Sequence, residues 1–96
     1  MPPSDETSVQ NAKKEREELI SYKYILGDMG ISILMAIANG ARTKDAILML
    51  SGTPLACIAG RMPVLENLKL VLCITPEEFV ITKRGIQFLK CMNEPA

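Results

Sequence analysis

Four residues near the middle of the chain, Ser51-Gly52-Thr53-Pro54, constrain the fold more than any other stretch. Gly52 admits the left-handed backbone on which helices end. Thr53-Pro54 is a start signal, because the hydroxyl caps free amides and Pro at a first helical position lacks only an N–H that has no partner there. Apolar residues recur at helical spacing on both sides: Ala46, Ile47 and Leu50 before the break, and Leu55, Ile58, Met62, Leu65 and Leu68 after it. Two short helices joined by a tight turn are therefore predicted. Thr43 caps the first, and Asp45 falls in its first turn, where a negative charge suits the helix dipole. Pro63 interrupts the second, because it removes a backbone hydrogen bond. It predicts either a kink or a short helix ending near Arg61 with a new turn from Pro63.

Upstream, Leu19, Tyr22, Ile25, Leu26 and Met29 form one helical stripe, with Gly27 as its stop and Asp28 as the cap of the next helix. Ile31, Leu34, Met35 and Ala38 form the inner face of that next helix, which Asn39-Gly40 ends. Downstream, Leu70 to Ile74 and Phe79 to Thr82 are β-prone runs around Thr75-Pro76-Glu77-Glu78, which predicts a hairpin. Thr82 then caps a last helix with Ile86, Leu89 and Phe88 inward. The fold class is thus mainly α (α+β). Residues 1–11 read as a disordered tail, 12–92 as a single domain and 93–96 as a frayed end.

Ninety-six residues suffice for one domain, and 48% hydrophobic content is ample for one core. With two Phe, two Tyr and no Trp, that core must be aliphatic. Eleven basic and eleven acidic residues cancel, so the chain lacks the global positive charge of a typical nucleic-acid binder. Cys57, Cys73 and Cys91 are widely spaced and no His is present, a pattern of neither disulfide framework nor zinc site. They read as buried thiols in a reducing cytoplasm. Apolar stretches are broken by Gly40, Arg42, Lys44, Asp45 and Arg61, so no membrane span is expected and the localisation reads as cytoplasmic. Catalysis finds no base, no Gly-rich phosphate loop and no activated nucleophile. The chain is not expected to be an enzyme, and no cofactor or metal is expected.

The segment from about Asp28 to Met92 resembles a winged helix-turn-helix domain of archaeal and bacterial transcription regulators. The likeness rests on Ile33 to Ala41 as a first helix and Ser51-Gly52-Thr53-Pro54 as the turn before the recognition helix. It rests further on Leu65 to Val71 as the entry to the wing, and on Ile81 to Leu89 as its exit. The resemblance implies a small β-hairpin wing with extra N- and C-terminal helices. It also implies double-stranded DNA as partner and a homodimer built through the terminal helices, for which the Leu19 to Met29 stripe is available.

On that implication the DNA-contacting residues are Arg42, Thr43, Lys44, Thr53, Arg61, Lys83 and Arg84. The reading helix is nearly bare, since base recognition favours Arg, Asn and Gln and only Arg61 qualifies. The wing tip, Glu77-Glu78, would repel phosphate. Contacts are therefore expected mainly to the DNA backbone, with a steep salt dependence. The rival expectation is a protein-interaction or dimerisation module that uses Ala56, Cys57, Gly60, Met62 and Val64, with Met29, Met49 and Leu72 as further exposed apolar groups. A third expectation is a redox-sensing Cys57, if its thiol lies outward.

Overall fold

The computed structural model describes residues 3–93, with side chains described from residue 14 onward. Helix α1 (Pro3–Ala38) is followed by α2 (Lys44–Ser51), α3 (Leu55–Asn67), strands β1 (Val71–Thr75) and β2 (Glu78–Ile81), and α4 (Lys83–Asn93). The architecture is mainly helical with one small antiparallel hairpin, an α+β arrangement.

Helix α1 begins at Pro3, so the segment expected as a disordered tail is helical from there on. Pro3 suits a helix start, because Pro tolerates the first turn. Residues 1, 2 and 94–96 lie outside the described residues, and Asn93, expected to fray, is the last residue of α4. Gly27 breaks α1 into two limbs with φ 66° and ψ −179°, a backbone that other residues rarely adopt. The predicted stop is therefore a break between two helical limbs.

Leu19, Tyr22 and Leu26 are the buried face of the first limb, while Ile25 and Met29 are exposed. In the second limb the buried face is Ile33, Leu34, Ala36 and Ile37; Ile31 is half-buried, and Met35 and Ala38 are exposed. The expected face was one residue out of phase. Every residue from Ile33 to Ala38 is apolar, so periodicity alone does not set the phase there.

The second limb ends in a Schellman turn, with the Ala41 N–H donating to the Ala36 carbonyl at 3.0 Å and Gly40 at φ 111°. Thr43 caps α2 as predicted, its hydroxyl accepting from the Ala46 N–H at 3.1 Å. Ile47 is fully buried, whereas Leu50, expected inward, is 59% exposed. Gly52 caps the end of α2 at φ 71°. The cap of α3 is Pro54 rather than Thr53; Thr53 is buried and its N–H donates to the Ser51 hydroxyl at 3.1 Å. Helices α2 and α3 meet across this turn at a bend of 110°.

Helix α3 runs through Pro63 as one helix, so the alternative of a new turn at that residue is not realised. Pro63 and Ala59 are both exposed, which leaves the carbonyl that loses its donor open to water. The helix closes on a second Schellman turn, in which the Leu70 N–H donates to the Leu65 carbonyl. No glycine stands there, so Lys69 takes the left-handed position at φ 64°.

Strands β1 and β2 pair antiparallel, Val71 with Ile81, Leu72 with Val80 and Cys73 with Phe79, with an irregularity between Cys73 and Thr75. Thr82 caps α4 through the Gly85 N–H at 3.1 Å and ties its own hydroxyl to the Lys69 carbonyl at 2.6 Å. Phe88 is the fully buried residue of α4; Leu89 is half-buried and Ile86, expected inward, is 41% exposed.

The core gathers Leu26, Ile33, Leu34, Ile47, Ile58, Leu65, Leu70 and Phe88, each fully buried. Each such side chain contributes roughly 1.5–3 kcal/mol by leaving water. Helix α1 packs against α2, α3, α4 and β2 and so organises the whole. By length and composition Lys14–Ala38 is apolar enough to cross a membrane, contrary to the expectation that every apolar run is broken too early. Here its Leu26, Ile33, Leu34 and Ile37 lie in the core.

Candidate functional site

The start of α2, the N-terminal half of α3 and the hairpin turn converge on one open cleft of about 690 Å³. The α2 side contributes Thr43, Lys44 and Asp45, and α3 contributes Leu55, Ala56 and Ala59. Pro76 and Glu77 close it from the turn. Local backbone chemistry positions each wall. The Thr43 cap orients the first turn of α2, while the Thr75 hydroxyl accepts from the N–H groups of Glu77 and Glu78 at 3.3 and 3.1 Å and holds the tip. The Phe79 N–H donates to the Arg42 carbonyl at 2.8 Å, so the strand behind the tip is tied to the residue that leads into α2.

The floor of the cleft is small and apolar, and its rim carries one ammonium, Lys44, beside two carboxylates, Asp45 and Glu77. The local charge is therefore not positive. Arg42, Lys44 and Lys83 are exposed, and Arg61 is half-buried. Thr53 is withdrawn from any contact by its burial, because its place in the turn points it into the core.

Arg84 is also diverted, toward the molecule's own helices. Its Nη2 donates to Tyr22 Oη at 2.6 Å and to Glu18 Oε1 at 2.9 Å, and the Tyr22 hydroxyl donates to the same carboxylate oxygen at 2.8 Å. The guanidinium also lies 5.5 Å from the centre of the Tyr22 ring, a cation–π contact. The hydrogen bond to Tyr22 is the largest effect on the Arg84 pKa and raises it above its ordinary value; desolvation opposes it, and the nearby Tyr22, Glu18 and Glu15 add smaller upward effects. Arg84 thus fastens α4 to the first limb of α1. No sequence signal joins residues this far apart, so the role escaped the reading of the chain.

Of the residues expected on a protein-binding face, Ala56 and Gly60 are exposed and Cys57 and Val64 half-buried. Met62 is buried at 3% exposure and cannot take part, because it lies on the α3 face that carries Ile58 and Leu65. Met49 and Leu72 are exposed as expected, at 84% and 58%. All three cysteines are free thiols, and Cys73 is exposed rather than buried because β1 turns outward beyond Val71. The Leu19 to Met29 stripe is divided: Leu19, Tyr22 and Leu26 fill the chain's own core, leaving only Ile25 and Met29 outward. Among the described residues, no group of three or more His, Cys, Asp or Glu comes together to hold a metal. Comparisons with protein-family models, curated proteins and solved structures find no match to this chain.

Proposed function

We propose that this chain is a winged helix-turn-helix module that associates with duplex DNA through backbone contacts, in the cytoplasm and without catalysis. The observation that carries the reading is the 110° bend between α2 and α3 across Gly52-Thr53-Pro54. Helix-turn-helix units join their helices at about 90–120° through a three- or four-residue turn that often holds Gly. The bond from Phe79 to Arg42 supports it, since it attaches the hairpin to the segment before α2 as a wing is attached. In this reading α3 is the helix presented to the groove, and Arg42, Lys44, Arg61 and Lys83 contact phosphate. Arg84 and Thr53 drop out of the contact set because the fold engages both.

The test is a salt titration of binding to mixed-sequence duplex DNA. Each phosphate contact contributes about 0.9 to the slope of log affinity against log salt, so Arg42→Ala with Lys44→Ala should flatten it by about 2. An absence of binding at low salt, or an unchanged slope, would refute the reading.

One observation favours a second reading, a module that docks on protein. The cleft between α2, α3 and the hairpin turn is floored by Leu55, Ala56 and Ala59 and rimmed by more acid than base. Replacing Asp45 and Glu77 by Asn and Gln separates the two. Phosphate approaching the cleft would bind more tightly to that variant, whereas a cleft reserved for protein leaves DNA affinity unchanged.

A further inference from the structure

No further inference is drawn: the strongest candidate, the open cleft that α2, α3 and the hairpin turn form over Leu55, Ala56 and Ala59, belongs to the site already described, and nothing in the structure shows what covers it.

Discussion

Gly85 and Gly60 both sit inside helices, and replacing each by Ala should move stability in opposite directions. Ala is favoured over Gly in a helix by about 1 kcal/mol, which is the whole effect if nothing obstructs the new methyl group. At Gly60, on the exposed side of α3, nothing lies within 4 Å of the added carbon. Gly60→Ala should therefore stabilise by about 0.5–1 kcal/mol. At Gly85 the added carbon falls against the Leu70 carbonyl oxygen and 2.6 Å from Ile81 Cγ1. The oxygen is backbone, and it already accepts the Thr82 N–H that joins the hairpin to α4. Relief requires α4 to move off Leu70 and the end of β2, which costs roughly 1–3 kcal/mol in overpacking and about 1 kcal/mol in the strained hydrogen bond. Subtracting the helix gain leaves a net loss of about 2 kcal/mol. A domain of this size loses roughly 4–8 °C per kcal/mol, so Tm should fall by about 8–16 °C. Far-UV circular dichroism melts of the two variants and the parent are the assay. A Gly85→Ala chain as stable as the parent would show that α4 does not approach Leu70 and Ile81 this closely. A destabilised Gly60→Ala chain would show that α3 is not open at that face.

Met62→Glu should unfold the chain or lower its stability by several kcal/mol, because it buries an unpaired carboxylate, whereas Ala56→Glu should leave the melt within about 0.5 kcal/mol of the parent. Urea denaturation checks both. Arg84→Ala should cost about 1–2 kcal/mol by releasing Tyr22 and Glu18, while Lys83→Ala leaves stability unchanged. The raised Arg84 pKa means that this contribution is fully present below the unfolded value and lost only as pH rises through the folded one. The difference between Arg84→Ala and the parent in chemical denaturation should therefore not titrate between neutral and mildly alkaline pH. Pro63→Ala should stabilise by about 2 kcal/mol, because α3 recovers the bond to the Ala59 carbonyl and loses only the smaller restriction Pro places on the unfolded chain. Equal thermal melts for that pair would mean that the helix already accommodates Pro63 at no loss.

Local chemistry was legible wherever one residue decides one backbone event. The turn at Gly52, the Thr43 and Thr82 caps, the Gly27 break and the hairpin turn at Pro76-Glu77 all follow from side chains acting on amides a few residues away. Faces were legible only where polar residues interrupt the apolar pattern, as at Leu19, Tyr22 and Leu26; between Ile33 and Ala38 they were not, and the phase came out one residue off. The same limit governed the candidate site. Composition along α3 already marked it as poor in reading residues, and Glu77 as an acidic tip. Which basic residues remain free was a different matter, because Arg84 is engaged by Glu18 and Tyr22 from the far end of the chain. Met62 and Val64 look alike in sequence, yet one lies in the core and the other at its margin. What the amino-acid order determined by itself is where α2 begins and ends, where the hairpin turns and where α4 begins, because capping, glycine freedom and proline geometry act within a turn or two of chain. What only the tertiary structure decided is which side chains face water and which charge is already paired. Those depend on neighbours dozens of residues away, brought together by packing.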